Sequence, residues 1–229
     1  MVGKTGAGKS AAGNTILGRK GFELKCASQS VTVDCFKCKC VIDGQQIAVI
    51  DTPGLFDNRC DETKTVKDVS QFIRFAAPGP HVFLVVISVG RFTAEEKQMV
   101  QKIQEIFGQD ADRYSMVLFT RGDDFEETTI EKFFDDDTDL QGLVARCNNQ
   151  YHVFNNKEKK DRLQVNELLQ KIRNVVQRNG GSHYTNEMFQ KAEREMKEEK
   201  QRILKAKEEQ IRKEREELER ELQEEHEKT

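Results

Sequence analysis

Apolar positions in the first 180 residues follow two alternating rhythms. "HVFLVVIS" (81–88), "SMVLFT" (115–120) and "YHVFN" (151–155) are short apolar runs of strand length. Between them lie stretches with apolar residues at helical spacing, over 65–76, 93–108, 140–146 and 163–176. In "TAEEKQMVQKIQEIFG", Met99, Val100, Ile103, Ile106 and Phe107 share one face. Thr93 and Glu96 form a capping box there, and Gly108 stops the helix. "VTVDCFKCKCVI", Asp43-Gly44 and "QQIAVID" read as a hairpin. Strands alternating with amphipathic helices predict an α/β fold of three layers, with a mostly parallel sheet between two layers of helices.

The rhythm breaks at "RNGGSH", where Gly180 and Gly181 stop the preceding helix. Residues 1–180 then form one domain, and residues 181–229 a charged C-terminal helix. Its apolar positions are sparse: Met188, Met196, Ile203, Ile211, Leu218 and Leu222. Three readings stay open for it. It is a thin coiled-coil seam, a single helix held by i to i+4 Glu–Lys/Arg pairs, or a helix that folds back on the domain through residues 184–196.

Charge refines this picture. The chain has 37 Lys+Arg and 40 Asp+Glu, a net charge of −3, so no electrostatic case exists for general nucleic-acid binding. Charged residues reach 34%, above the roughly 25% of ordinary domains, and the excess lies beyond residue 184. There is no apolar stretch near the ~20 residues of a membrane span, and no signal peptide. These features predict a cytoplasmic protein with free thiols.

The candidate chemistry begins at the front. "GKTGAGKS" matches G-x-x-x-x-G-K-[ST] at Gly3, Gly8, Lys9 and Ser10. Gly3, Lys4, Thr5, Gly6, Ala7, Gly8, Lys9, Ser10 and Ala11 would cradle phosphate with backbone N–H groups and a helix N-terminus. Lys9 would reach the β- and γ-phosphates, and the Ser10 hydroxyl would hold Mg²⁺. Asp51 closes an apolar strand 41 positions after Ser10, where its carboxylate would face that Mg²⁺; the Gly54 N–H would approach the γ-phosphate. In "SMVLFTRGDDF" an acidic side chain would accept the N1–H and exocyclic amine of guanine. Asp123 and Asp124 both fit, and Asp124 is favoured because Phe125 can pack behind it. Asn155 and Asn156 in "VFNNK" would lie beside the base, with Phe154 adjacent. These features favour GTP or GDP over ATP.

The ordered set "GKTGAGKS", the Thr of "SQSVT", "DTPGLFD", "APGPHVFLVVISVGRFTAEE", "FTRGDDF" and "FNNK" resembles the GIMAP (immunity-associated, AIG-type) GTPases, relatives of septins and plastid import GTPases. The resemblance covers residues 1–180 and implies a P-loop G domain. It makes Thr32 the switch residue that closes on Mg²⁺ and the γ-phosphate, and the segment after Gly54 the second switch. It implies slow hydrolysis and GTP-dependent association with itself or with family members, in the cytoplasm or peripherally on organelle membranes. Leu55, Phe56 and Asp57 follow "DTPG", with no Gln to orient water as in Ras-type enzymes. Arg91 is either an arginine finger acting across a dimer or a surface residue beside a helix start.

"CFKCKC" invites a metal reading, which strand alternation disfavours. Phe36, Cys38, Cys40 and Ile42 share one face, so Cys38 and Cys40 read as small core residues, and Cys35 lies on the other face. Two functions compete: a self-assembling GTP switch, and an interaction protein that uses a degraded G domain and the charged helix. The second gains weight because the strand expected in the sheet centre has Met1 and Val2 alone before Gly3, as if truncated upstream. Placing about seven apolar residues, a usual strand length, before Val2 is expected to raise the denaturation midpoint sharply. An unchanged midpoint would contradict the truncation reading.

Overall fold

A computed structural model describes residues 1–22, 36–52, 62–90, 92–124, 129–135, 137–158 and 161–227 of the 229-residue chain. In order these form α1 (Lys9–Leu17), β1 (Phe36–Ile42), β2 (Gln45–Asp51), α2 (Glu62–Ala76), β3 (Phe83–Ser88), α3 (Ala94–Phe107), β4 (Ser115–Thr120), α4 (Ile130–Asp135), α5 (Thr138–Arg146), β5 (Tyr151–Val153), α6 (Leu163–Arg178) and α7 (Glu187–Glu227). The strands, the hairpin and the helices fall where the periodicity predicts, except for α4, which the sequence reading did not include. β1 and β2 pair antiparallel around Asp43 and Gly44, both with positive φ (50° and 76°), the geometry of a tight hairpin turn. β3, β4 and β5 pair in parallel. The Thr93–Glu96 capping box closes both ways at the start of α3.

Met1 and Val2 lie between the hairpin and the parallel strands. The Met1 ammonium donates to Ile50 O at 2.7 Å. Val2 N–H donates to Leu84 O at 2.9 Å, and Val86 N–H donates to Val2 O at 2.8 Å. These two residues therefore occupy the central place in the sheet and join its two parts.

Strand alternation sorts the core into two halves. Phe83, Val85, Ile87, Val117 and Phe119 face α2, α3, α5 and the start of α7. Leu84, Val86, Met116 and Leu118 face α1 and α6. On the inner face of β1 the expectation that Cys38 and Cys40 are small core residues is met in part. Cys38, Cys40 and Ile42 are half-buried, but Phe36 is 52% exposed. The cover supplied by α1, Gly21 and Phe22 reaches Cys38, whose thiol contacts Gly21 O at 3.4 Å, and Phe36 lies at the strand's far end from the turn. Cys26, Cys35 and Cys60 lie outside the described residues.

The fold-back reading describes the first turns of α7. Tyr184, Phe189 and Ala192 are buried in the same core half as α2 and α3. The Phe189 ring lies 6.1 Å from Phe72 and 6.2 Å from Phe107, and the Tyr184 hydroxyl donates to Phe107 O. Arg74 of α2 pairs with Glu199 at 3.3 Å. Farther on, Ile203, Ile211 and Leu218 are exposed, while Glu209–Lys213, Arg212–Glu216 and Arg215–Glu219 pair along the helix itself. Such exposed pairs add only a few tenths of a kcal/mol each. Among the described residues no helix is long and apolar enough to cross a membrane.

Phe189 is fully buried. Phe189→Ala is expected to cost about 3–5 kcal/mol in chemical denaturation and to make the 184–196 segment cleavable by protease. A loss below ~1 kcal/mol would show that α7 is not part of the cooperative unit.

Candidate functional site

The loop of residues 3–8 runs from Val2 into α1 over the C-terminal ends of the parallel strands. Its three glycines are all required by geometry, Gly6 for a φ of +84°. Gly8 has φ of +90°, which L-residues rarely adopt, and a Cβ on Gly3 would sit 2.5 Å from Val86 O. The Thr120 hydroxyl, at the end of β4, donates to Ala7 O at 2.7 Å. Lys9 is buried and curls back, its Nζ donating to Gly3 O and Lys4 O at 2.9 Å each. The loop is thus fixed to the sheet on one side and wrapped around a cation on the other.

Ser10 and Asp51 meet beneath the loop. Ser10 Oγ donates to Asp51 Oδ2 at 2.5 Å. Asp51 is 1% exposed, and its Oδ1 is buried with no hydrogen-bond partner among the described residues. Burial pushes its carboxyl above the ordinary range, against the opposing pull of the Ser10 hydrogen bond, Lys9 and the N-terminal ammonium. The Thr5 hydroxyl is also buried without a partner among the described residues. A buried carboxylate oxygen left open beside a hydroxyl and a cradle of N–H groups fits a hard divalent cation carrying phosphate oxygens.

The second part of the site lies at the ends of β4 and β5. Residues Gly122–Asp124 form a 3-10 turn. Gly122 N–H donates to Phe154 O at 2.9 Å, so this turn and the loop after β5 are one unit. Asp123 pairs with Lys157, which holds its carboxyl below the usual range; Asp124 pairs with Arg121 at 2.9 Å. The Asp124 side chain is the more exposed of the two, at 37% against 18%. Asn155 Oδ1 accepts from Lys157 N–H at 2.9 Å, and Asn156 Oδ1 accepts from the Thr15 hydroxyl of α1 at 2.9 Å. Both Asn side chains therefore shape their own loop and tie it to the phosphate-loop helix.

The fold brings together Gly3, Lys4, Thr5, Gly6, Ala7, Gly8, Lys9, Ser10, Ala11 and Asp51 as one constellation, with Asp123, Asp124, Asn155 and Asn156 in the neighbouring loops. Thr32, Gly54 and Arg91 lie outside the described residues. Sequence reading missed Thr120, Thr15, Lys157 and Gln164. Lys157 is the last residue of "FNNK", and its pairing with Asp123 is made by the fold. Thr120 and Thr15 are ordinary polar residues whose roles come from distant partners.

A phosphate loop followed by a helix, with a buried strand-end Asp and a mostly parallel sheet, defines a P-loop protein of the G-domain class. The AIG1 family model matches residues 1–204, and the chain belongs to the AIG1 family. GTPase IMAP family member 8 of Homo sapiens is 37% identical over 190 residues, covering 81% of this chain and 28% of the relative. The curated relatives are longer: the chain spans between 27% and 61% of their lengths. Toc33 from Arabidopsis thaliana in complex with GDP and Mg²⁺ superposes with a TM-score of 0.60 at 20% identity, over 76% of this chain and 81% of that one. A structure from the chloroplast translocon components atToc33 and psToc159, for which dimerization is important for GTPase activity, gives a TM-score of 0.62 at 19% identity, over 76% and 80%. At such identities these likenesses establish the G-domain fold.

The raised Asp51 carboxyl sets a sign. A folded-state pKa above the unfolded one means that stability falls as pH rises between the two, and the ionised carboxylate is a net cost above that window. Asp51→Asn is therefore expected to raise the melting temperature of the nucleotide-free protein at neutral pH and to flatten that pH slope. It is also expected to abolish stabilisation by Mg²⁺ with nucleotide. Paired melts with and without GTP and Mg²⁺ check both.

Proposed function

We propose that this chain is a guanine-nucleotide switch that binds GTP or GDP with Mg²⁺, hydrolyses GTP slowly and associates with itself in the GTP state. The observation that carries the reading is the buried Asp51–Ser10 pair with its open Oδ1 under a glycine loop wrapped on Lys9. Ser10 and Asp51 would hold Mg²⁺, Ser10 directly and Asp51 through the outer shell. Mg²⁺ bound there supplies charge neutralisation for phosphate oxygens. Lys9 would exchange its loop carbonyls for β- and γ-phosphate oxygens, and loop N–H groups would take the remaining charge. On the base side Asp124, less buried than Asp123, would leave Arg121 to accept guanine's two donors.

Hydrolysis and assembly rest on residues outside the described ones. Thr32 and Gly54 would close on the γ-phosphate. Arg91, after β3, would enter the neighbouring subunit's site, which makes turnover depend on protein concentration. The importance of dimerization for GTPase activity in the Toc components supports this expectation.

Titration with a fluorescent GTP analogue and Mg²⁺ is expected to show saturable binding that ATP does not compete for and that Lys9→Ala removes. Binding equally displaced by ATP would sink the guanine assignment. Asp124→Asn replaces an acceptor by a donor and is expected to shift preference toward xanthine nucleotide, whose C2 oxygen takes the new N–H. The same shift in Asp123→Asn instead would reassign the base contact. Arg91→Ala is expected to remove the concentration dependence of turnover; an unchanged dependence would end the arginine-finger role.

A further inference from the structure

The loop after β5 is short, polar and packed between three elements, yet it carries no regular secondary structure over residues 154–158. Its backbone hydrogen bonds must be met by something other than a ladder. Gln164, in the first turn of α6, meets them. It is only 8% exposed. Its Oε1 accepts from Asn155 N–H at 3.0 Å. Its Nε2 donates to Asn155 O and to Glu158 O, each at 3.1 Å. One amide side chain thus satisfies both polar groups of one peptide residue and one of another, using both of its donors. Its own carbonyl pairs with His152 Nε2 at 2.7 Å, which fixes the start of α6 against β5.

That clamp leaves the loop with a defined shape on its other side. Asn155 Oδ1 caps Lys157 N–H, Asn156 Oδ1 takes the Thr15 hydroxyl, and Lys157 pairs with Asp123. The Asn156 N–H has no acceptor among the described residues and stays available as a donor. A carbonyl such as guanine O6 takes such a donor, whereas the amino group at the same position of adenine repels it.

We propose that Gln164 is a positioning residue for guanine recognition: through its three hydrogen bonds to Asn155 and Glu158 it holds the loop after β5 in the shape that accepts the base. The proposal rests on the guanine-nucleotide reading above. Gln164 touches no ligand itself. Removing its amide frees the loop backbone while the phosphate constellation, built from the loop of residues 3–8, Lys9, Ser10 and Asp51, stays in place.

The test uses the full chain and two variants. Gln164→Met keeps the volume and loses all three bonds. Gln164→Glu keeps the acceptor for Asn155 N–H and loses the donors. Affinity for GTP, ATP and Mg²⁺-tripolyphosphate is measured by competition against a fluorescent GTP analogue, together with nucleotide-free melting and amide hydrogen exchange at Asn155. In Gln164→Met the expected result is faster exchange at Asn155 and a GTP affinity lower by about tenfold or more, the scale of a lost buried bond. The GTP-to-ATP ratio is expected to fall by the same factor, and tripolyphosphate affinity to stay unchanged. Gln164→Glu turns a carboxylate oxygen toward the Asn155 and Glu158 carbonyls and is expected to lose at least as much as Gln164→Met. An equal loss of GTP and tripolyphosphate affinity, an unchanged GTP-to-ATP ratio, or unfolding of both variants would overturn the proposal by making Gln164 a general stability residue. A natural chain that binds no GTP, or binds GTP and ATP alike, would instead overturn the guanine-nucleotide reading and the proposal with it.

Discussion

Everything at the site depends on holding the backbone of residues 3–8 against the sheet. A glycine loop has high conformational entropy, and its N–H groups converge only if neighbouring elements fix both ends. Here the constraint comes from below and from the side. Val2 is hydrogen-bonded into β3, Gly3 lies against Val86 O, and Thr120 grips Ala7 O. Lys9 then folds over the loop from inside. The loop is therefore shaped before any ligand arrives, which lowers the ordering cost of binding an anion.

The same junction explains why one carboxylate is buried at an apparent loss. Asp51 ends β2, beside Met1 and Val2, where desolvation opposes its charge. One oxygen is met by Ser10, and the other has no described partner. Such an arrangement is poor as stabilisation. The rest of the core supplies the margin. The aromatic group of Phe72, Phe83, Phe107, Tyr184 and Phe189 links α2, β3, α3 and α7 into one packed layer. This layer makes the start of α7 part of the domain that carries the site.

Much of the fold was legible because burial period and punctuation agree. The apolar runs at 83–88 and 115–120 are β3 and β4, the Thr93–Glu96 box opens α3, and Asp43-Gly44 turns the hairpin. The phosphate loop was legible because its chemistry needs fixed residue types at fixed spacing. Alternation put Phe36 on the same face as Cys38 and Cys40 but does not report how far that face is covered, and Phe36 is 52% exposed. Thr120 and Thr15 gave no local signal, because each acts on a partner more than 100 positions away, Ala7 and Asn156; Gln164 acts on the loop just before its own helix, in a pattern that is no standard cap or turn signature.

By itself the sequence determined most element types, the two-sided layering and the phosphate-loop motif, since these follow from periodicity, turn residues and motif spacing read over short windows. Tertiary structure alone decided that Met1 and Val2 hydrogen-bond to both parts of the sheet, that α7 begins inside the core, and that Asp51 is buried with one oxygen unmet among the described residues. Those outcomes depend on long-range packing and desolvation. Neither leaves a trace in a local pattern, because both are properties of what surrounds a residue after the chain has closed.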